Sequence, residues 1–465
     1  MTRVHAFGDD ALGTDDAVAI ARRIANKEVS AREIIEASIS RALHVNQDLN
    51  ALELETYAQA RFRADNHMWG PLAGVPAVFK DNIDLAGLPT RHGSRAVKPK
   101  PAKRDSEVAR QFLSTGINSI GKSRLPEFGL NASTEFEREL PTKNPWNLKY
   151  SAGASSGGSA ALVAAGVVPI GHANDGGGSI RIPAAACGLV GLKPTRGRLV
   201  LGKLSNKIPI DIIVDGVVTR SVRDTAHFYS GAEQSYRTEL PYIGLVEGPS
   251  KRKLKIAMSV GSVKGLTADE DTRKAVENTA RVLEDLGHKV ETIPMPIADA
   301  FADDFTLYWS YLGYMTDHFG ATSFGRGFDR SKLEVLAKGL SKHFSKNMHK
   351  FPGALRRLKN AETNYRNLFR GVDLLLTATV GHTTPELGFL SPAIGYETLM
   401  DRLHDYASYT PLNNVTGGPA ITLPLGLNSQ GMPVGVHFSA NHGDERTLLE
   451  IGFALEEAIG FPTIY

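Results

Sequence analysis

The sequence lacks the features that mark secreted and membrane-spanning proteins. Its 465 residues contain a single cysteine, Cys187, so no disulfide bond can form within the chain, and this indicates a reducing compartment. No uninterrupted apolar run approaches the ~18 residues that a membrane-spanning helix needs. Residues 1–16 contain acids and no apolar stretch of the kind found in signal peptides. We therefore expect a cytoplasmic protein with no membrane partner.

Charge of one sign is also scarce. The formal net charge is +3, and hydrophobic and charged residues make up 42% and 22% of the chain, as in ordinary globular proteins. Two basic clusters, at residues 98–104 and 251–255, have no aromatic side chains beside them that could stack on bases. Nucleic acid is therefore not an expected partner, and both clusters are interpreted as solvated loops.

One large α/β domain spanning residues 1–465 is the simplest interpretation, since no linker, repeat or low-complexity tail divides the chain. Ser30, with a glutamate three residues on, predicts a capping box for a helix over residues 31–45. The strand–helix–strand order over residues 254–293 predicts a parallel βαβ unit. Residues 298–361 differ from the rest of the chain, because aromatic side chains are concentrated there among basic helices. Most of these aromatics are expected in the core, and a minority are candidates for the wall of a substrate channel.

Glycine and serine are concentrated in residues 151–195, yet two apolar runs lie inside this stretch. A flexible linker would not contain such runs, so we interpret the stretch as a buried core segment with two glycine-rich turns. In the second turn, Ser179 follows Gly176, Gly177 and Gly178. Three glycines permit a tight turn whose N–H groups converge on one point, as in an oxyanion hole.

A serine nucleophile needs a base at neutral pH. The sequence offers no Asp/His pair that would complete a Ser-His-Asp triad, and His172 is interpreted as a packed core histidine. Lys80 is the alternative base, because it follows a short buried strand predicted at residues 77–79 and burial can depress a lysine pKa towards neutrality. The structural alternative is a salt bridge between Lys80 and Asp81, or a lysine that points outwards.

Residues 116–123 match the phosphate-loop pattern GxxxxGK[ST] letter for letter. A phosphate loop follows a strand and opens a helix, and the context here is different. A helix is predicted before the pattern, residues 117–121 themselves resemble a strand, and Pro126 prevents a helix from running straight on from the lysine. We expect no nucleotide role for this segment.

Several blocks of the sequence resemble the amidase signature family. They are GVPAVFKDN at 74–82, GKSRLPEFG at 121–129, NPW at 144–146, GASSGGSA at 153–160, DGGGSIRIPAAACGLVGLKPT at 175–195, and GGPAITLPLG with GMPVGVHF within 417–438. The resemblance covers nearly all of the chain and is weakest at about 298–361. It implies an α/β fold with a mixed, twisted β-sheet core covered by helices on both sides, and a reaction that uses no metal and no cofactor.

The resemblance also implies a role for each motif residue. Ser179 would be the acylated nucleophile, Ser155 the relay serine, entered through a cis peptide bond, and Lys80 the ultimate base and acid. A cis bond after Ala154 would be unusual, because many members of the family carry glycine there. The implied oxyanion hole uses the backbone N–H groups of Gly176, Gly177, Gly178 and Ser179. The remaining expected site residues are Ser156, which supports the network, Asp175 and Arg181, which flank the turn and are placed to brace it, and Arg124, which is a candidate substrate contact.

The motif HANDGGGSIRIPA at 172–184 resembles the corresponding motif in the branch of the family that includes hydrolases of cyclic oligoamides, aryl amides and carbamates. The resemblance therefore implies hydrolysis of small, fairly apolar amides, with esters and carbamates as further substrates. The glutaminase-type subunit of a tRNA-dependent amidotransferase is an alternative, which Ile182 argues against because those subunits usually have glutamine there. A catalytically dead binding protein is a third, less favoured interpretation, since all three triad positions are intact.

Overall fold

An eleven-stranded mixed β-sheet runs through the centre of the computed structural model. The structure describes residues 3–202, 207–297 and 300–465. The strands of the structure are β1 (Leu52–Glu55), β2 (Pro76–Lys80), β3 (Asn118–Ser123), β4 (Lys143–Asn144), β5 (Asn147–Ser151), β6 (Ile170–Asp175), β7 (Val190–Lys193), β8 (Val214–Thr219), β9 (Lys255–Met258), β10 (Lys289–Thr292), β11 (Leu374–Ala378), β12 (Ala420–Leu427) and β13 (Pro433–Ala440). Strands β4 and β5 form a separate two-stranded sheet. Its α-helices are α1 (Ala17–Ala25), α2 (Ala31–Leu49), α3 (Tyr57–Ala64), α4 (Glu107–Leu113), α5 (Gly157–Ala164), α6 (Arg181–Cys187), α7 (Val222–Gln234), α8 (Glu270–Asp285), α9 (Phe301–Phe324), α10 (Val335–Asn347), α11 (Phe351–Leu368), α12 (Tyr396–Tyr406), α13 (Pro411–Thr416) and α14 (Glu445–Ile459).

The strand order of the sheet is β1-β3-β2-β6-β8-β7-β12-β13-β11-β9-β10. Strand β2 is parallel to β3 and β6, whereas β6 is antiparallel to β8 and β12 is antiparallel to β13. The predicted βαβ unit is β9-α8-β10, whose two strands are parallel neighbours. The structure therefore confirms the predicted α/β fold with a mixed sheet.

Strand β2 shows why helices cover both faces of the sheet. All of its residues are buried. Ala77 and Phe79 pack in one apolar core with side chains of α1, α4, α7 and α14, and Val78 packs in a second core with α2 and α5. Because successive side chains of a strand point to opposite faces, such an apolar strand needs cover on both sides. Lys80 ends the strand as its one charged residue.

Helix α2 begins where the sequence predicts. Ser30 Oγ accepts a hydrogen bond from the Glu33 N–H, and the Glu33 carboxylate accepts one from the Ser30 N–H, so the capping box is complete. The helix extends to Leu49, beyond the predicted end, and stops where Asn50 adopts a left-handed conformation with φ of 50°.

Helices α9, α10 and α11 make up the aromatic-rich segment, whose first two residues, 298 and 299, lie outside the described residues. Tyr308, Tyr311, Phe344 and Phe351 pack on one another with ring centroids 5.0–6.1 Å apart. These rings form a local core, as expected for most of the aromatics. No helix within the described ranges is both long and apolar enough to cross a membrane.

Candidate active site

Lys80 is fully buried at the end of β2, and its Nζ lies among three polar side chains. Nζ is 2.6 Å from Ser155 Oγ, 3.1 Å from Ser156 Oγ and 2.6 Å from Asn174 Oδ1. Strand β2 supplies the lysine, neighbouring β6 supplies the asparagine, and the two serines lie immediately before α5. The structure thus places the predicted base in contact with the predicted relay serine.

Asp81 is not the partner of Lys80, so the structural alternative drawn from the sequence is wrong. Asp81 Oδ1 is 2.6 Å from Nζ of Lys122, the lysine of the phosphate-loop-like pattern, and both side chains are buried. Lys122 Nζ also donates to Pro89 O and Thr90 Oγ1 at 2.8 and 2.9 Å. This lysine lies inside strand β3 with its donors bound by the protein, so the pattern does not form a phosphate loop.

Burial lowers the pKa of Lys80 from its ordinary value of 10.5 to about 7. The carboxylates of Asp215 and Asp175 oppose this effect, because they stabilise the protonated amine. A large fraction of Lys80 is therefore neutral near pH 7, and only the neutral amine has a lone pair that can accept a proton.

His172 holds the backbone beneath this lysine. Its Nδ1 accepts a hydrogen bond from the Lys80 N–H at 3.3 Å, so Nε2 carries the proton and donates to Asp215 Oδ1 at 3.1 Å. The ring stacks on Phe79 with centroids 5.6 Å apart. Burial lowers the pKa of His172 and favours its neutral form. The structure agrees with the interpretation of His172 as a packed core histidine.

Asn174 is a contact of Lys80 that sequence reasoning did not single out. An asparagine side-chain oxygen can only accept, so Oδ1 takes an N–H of Lys80. The backbone of Asn174 also binds Ser156, whose Oγ is 3.3 Å from both the N–H and the carbonyl oxygen. The available signal was its position beside Asp175 in the glycine-rich motif, but its direction depends on how β6 pairs with β2.

Asp175 and Arg181 brace the turn that carries Ser179. Both side chains are fully buried, and two guanidinium nitrogens of Arg181 lie 2.9 Å from the two carboxylate oxygens. The carboxylate also accepts the N–H groups of Gly178 and Ile180, at 2.7 and 3.1 Å. Burial opposes ionisation of Asp175, but Arg181 more than compensates and holds the pKa of this carboxyl well below its usual range. The turn is therefore fixed by an ionised, bidentate pair.

One of the four predicted oxyanion donors is already occupied. The N–H of Gly178 donates to Asp175, which removes Gly178 from the predicted set. Its φ is +134°, and a Cβ there would lie 2.3 Å from Thr410 Oγ1, so this position requires glycine for its conformation. Among the described residues, nothing accepts the N–H groups of Gly176, Gly177 and Ser179.

Residues far along the chain complete the support of the turn. Nη1 of Arg181 lies 3.2 Å from Asn413 Oδ1 and 3.1 Å from His437 Nε2, and Nη2 lies 2.7 Å from Asn414 Oδ1. Helix α13 and strand β13 supply these partners. Sequence reasoning missed all three, because nothing in the local pattern of α13 or β13 indicates that it faces a turn more than 200 residues away.

Ser155 and Ser179 meet through the backbone. Ser179 Oγ accepts the Ser155 N–H at 3.3 Å, and the two described hydroxyl groups are not hydrogen-bonded to each other. The cis bond expected before Ser155 is absent, as the described residues contain no cis peptide bond. A trans bond after Ala154 avoids the ~3–4 kcal/mol that a cis bond without proline costs.

Residues 153–157 also fit the hydrolase-elbow pattern G-x-S-x-G, but the basic partner of Ser155 is a lysine and not a histidine.

Arg124, the candidate substrate contact, is not among the residues that line the cavity beside Ser179. Its guanidinium is 2.6 Å from Glu139 and 3.2 Å from Glu53, and it donates to Leu140 O at 3.0 Å. It also stacks over the ring of Phe136 at 4.5 Å. These contacts hold the segment after β3 together and against strand β1, so they give Arg124 a structural role.

A largely apolar cavity of about 90 Å³ opens beside Ser179. Its polar groups include Thr306 and His404, which are hydrogen-bonded to each other at 2.8 Å, and exposed Lys264. Gly177 and Ser179, which carry two of the unpaired N–H groups, both line it. Its apolar walls are formed by Leu130, Ile182, Val263, Phe301, Phe305, Trp309, Met400 and Leu403.

Comparison with known proteins agrees with this geometry. The family described as Amidase matches residues 33–449. The chain belongs to the amidase signature family. It is 49% identical to the protein named "Putative amidase AmiC" of Mycobacterium leprae (strain TN), over 98% of each chain. It is 32% identical to the 6-aminohexanoate-cyclic-dimer hydrolase of Paenarthrobacter ureafaciens, over 96% of this chain and 94% of that one.

A solved 6-aminohexanoate cyclic dimer hydrolase, complexed with substrate, superposes on this amidase with a TM-score of 0.86. The two are 29% identical over 98% of each chain. The family and the AmiC relative make the protein an amidase, a hydrolase of carbon–nitrogen bonds. Within the described ranges, no cluster of three or more His, Cys, Asp or Glu side chains is arranged to hold a metal ion.

Proposed function

We propose that this amidase hydrolyses small, fairly apolar amides through an acyl-enzyme on Ser179. The observation that carries the proposal is the 2.6 Å contact between the buried Lys80 amine and Ser155 Oγ, with Ser179 adjoining Ser155 at the edge of the apolar cavity. A lysine with a pKa of about 7 is matched to proton transfer near neutral pH.

The hydrogen-bond partners of Lys80 orient its lone pair. A neutral amine has two N–H donors and one lone pair, and three side chains surround Nζ. Asn174 Oδ1 can only accept, and Ser156 Oγ is 3.1 Å away in a position to accept the second N–H. The lone pair is then left for the hydroxyl proton of Ser155. On this reading, Asn174 and Ser156 are positioning residues for the base.

In the acylation step, Lys80 takes a proton from Ser155 while Ser155 takes one from Ser179. For this, Ser179 Oγ must turn from the Ser155 N–H towards Ser155 Oγ when substrate binds. Ser179 Oγ then forms a bond to the substrate carbonyl carbon, and the C–N bond breaks as the proton returns through Ser155 to the leaving amine. Water deacylates the enzyme by the reverse proton path and releases the carboxylic acid.

The unpaired N–H groups of Gly176, Gly177 and Ser179 are the proposed oxyanion donors. The Asp175–Arg181 pair fixes the turn before substrate arrives, so these donors need little reorganisation during reaction. Removing one such donor typically costs about 10²–10³-fold in kcat, so a rigid turn that keeps each donor in place favours catalysis.

The cavity walls indicate the substrate class. Phe301, Phe305 and Trp309 of α9 provide aromatic surface beside Ser179, so we propose that the helical segment at about 298–361 selects the substrate. Esters and carbamates are proposed as further substrates, because attack by Ser179 and stabilisation of the oxyanion need only a carbonyl group. The glutaminase alternative is less favoured, since the charged α-ammonium and α-carboxylate groups of free glutamine would meet Ile182 and other apolar walls.

A substrate panel tests this proposal. Wild type and Ser179→Ala are assayed with a p-nitroanilide, a matched p-nitrophenyl ester, an aryl carbamate and glutamine. We expect turnover of the apolar substrates by wild type, no activity with glutamine, and a loss of at least about 10³-fold in Ser179→Ala. Full activity of Ser179→Ala would refute the role of Ser179. Efficient glutamine hydrolysis would favour the amidotransferase reading.

A further inference from the structure

A buried histidine–aspartate pair lies behind Lys80 and takes no part in the proposed proton path. The ring of His172 is buried against Phe79 and Phe112, with ring centroids 5.6 and 4.9 Å away. Its Nδ1 accepts the Lys80 N–H at 3.3 Å, and its Nε2–H donates to Asp215 Oδ1 at 3.1 Å. A continuous chain of hydrogen bonds therefore joins the Asp215 carboxylate to the backbone of the base.

The charge of Asp215 is not neutralised by a cation in contact with it. Asp215 is 5% exposed, and among the described residues its one ion-pair contact is His172. Burial lowers the pKa of His172, so this ring is neutral and brings no positive charge. Tyr229, a further titratable group near Asp215, donates its hydroxyl to Leu192 O. A buried carboxylate of this kind acts on neighbouring charges through surroundings that screen it weakly.

Lys80 is the cation on which this charge acts. Burial lowers the pKa of Lys80 to about 7, and two carboxylates oppose the shift, Asp215 more strongly than Asp175. Asp175 is already held in a bidentate pair with Arg181, and Asp81, the next residue after the lysine, forms its ion pair elsewhere. Asp215 is thus the uncompensated charge that faces the base.

We propose that the carboxylate of Asp215, held behind the base by His172, sets the pH below which the amidase loses activity. Asp215 is then a positioning residue for Lys80, and the inference rests on the proposed function of Lys80 as the base. The carboxylate favours the protonated lysine, and it makes the neutral amine that exists at higher pH a stronger base. Without it, the enzyme should work in more acid solution and reach a lower plateau.

The test is the pH dependence of kcat/KM for a p-nitroanilide, from about pH 4.5 to 9, in wild type, Asp215→Asn and Asp215→Glu. Asparagine keeps an acceptor for His172 Nε2–H but has no charge. We expect the rise in kcat/KM to move from about pH 7 in wild type to about pH 6 in Asp215→Asn, at the lower end of what one nearby charge produces. Activity at pH 5.5, as a fraction of the plateau, should then be about eightfold higher.

Asp215→Glu is the conservative variant. It keeps the charge, and a cavity of about 10 Å³ beside Asp215 leaves room for the longer side chain. Its rise should stay at the pH of wild type.

Asp224→Asn is the matched control, because Asp224 is a buried carboxylate on α7 that accepts the N–H groups of Ala17 and Val18 and has no contact with His172. Its rise should also stay at the pH of wild type. A rise at the same pH in Asp215→Asn and wild type would overturn the inference, and so would an equal shift in Asp215→Glu or Asp224→Asn. If Asp215→Asn does not fold, Asp215→Ser, which also keeps an acceptor without charge, is read in the same way. Failure of the proposed function is distinguishable, because Ser179→Ala would then retain turnover, whereas failure of this inference alone leaves Ser179→Ala inactive.

Discussion

Replacing Asn174 with aspartate should move the pH at which the enzyme becomes active. In wild type, Oδ1 of Asn174 lies 2.6 Å from Lys80 Nζ, and the pKa of Lys80 is about 7. Only the neutral amine acts as base, so kcat/KM should rise with pH through this value and then level off. An aspartate in the same place would add a negative charge next to Nζ, which favours the protonated lysine.

The size of the effect follows from distance. Two opposite charges about 4 Å apart attract by about 4 kcal/mol at an effective dielectric of about 20, which also suits buried sites, before the cost of desolvating the new carboxylate. An opposite charge at this range usually shifts a pKa by about 1–3. The rise in kcat/KM of Asn174→Asp should therefore move from about pH 7 to about pH 8–10, with activity at pH 7 lower by at least about tenfold.

The assay is kcat/KM for a p-nitroanilide measured from about pH 5.5 to 10.5 in wild type, Asn174→Asp and Asn174→Leu. Leucine removes the acceptor without adding charge, so its plateau should fall while its rise stays near or below that of wild type. A rise at the same pH in wild type and Asn174→Asp would refute the assignment of Lys80 as the base that Asn174 holds.

Two further substitutions separate catalytic from structural roles. Lys80→Met should abolish turnover and stabilise the fold near pH 7. At that pH Lys80 is fully protonated in the unfolded chain, whereas burial disfavours its protonated form in the folded chain. This difference lowers the free energy of unfolding of wild type by up to about 5 kcal/mol. The variant also loses the hydrogen bonds of Lys80 to Ser155 and Asn174, so its free energy of unfolding should rise by about 1–3 kcal/mol in total. Denaturant unfolding should show this gain below about pH 7 and its loss as pH approaches 10.5, and a less stable Lys80→Met at pH 7 would contradict the reasoning. Arg124→Met should lower the free energy of unfolding by about 1–3 kcal/mol and leave KM unchanged, because it removes ion pairs away from the cavity. A raised KM in Arg124→Met, with the melting temperature unchanged, would restore Arg124 as a substrate contact.

The parts of the site that the sequence predicts are those set by local chemistry. Ser179 follows three glycines that only a special turn would use, and Asp175 and Arg181 stand close enough in the chain to pair across it. Lys80 was identifiable as a charged residue on an otherwise apolar strand. Each of these signals lies within a few residues of the group it concerns.

The parts that the sequence did not predict depend on long-range packing. Asn413 and His437 reach Arg181 only because the fold brings α13 and β13 to the turn before α6. The loss of Gly178 as a donor follows from the position of the Asp175 carboxylate, which no motif specifies. Arg124 looked like a substrate contact because its block is close to the site, but the two glutamates that bind it lie on either side of it in the chain.

The most direct test of the account is the location of the covalent intermediate. The enzyme is treated with a serine-directed fluorophosphonate or a slowly deacylated aryl carbamate, digested, and mapped by peptide mass spectrometry. The account predicts one modified residue, Ser179, with labelling that increases with pH through about 7 and is lost in Lys80→Met. A stable adduct on Ser155, or undiminished labelling of Ser179 in Lys80→Met, would contradict it.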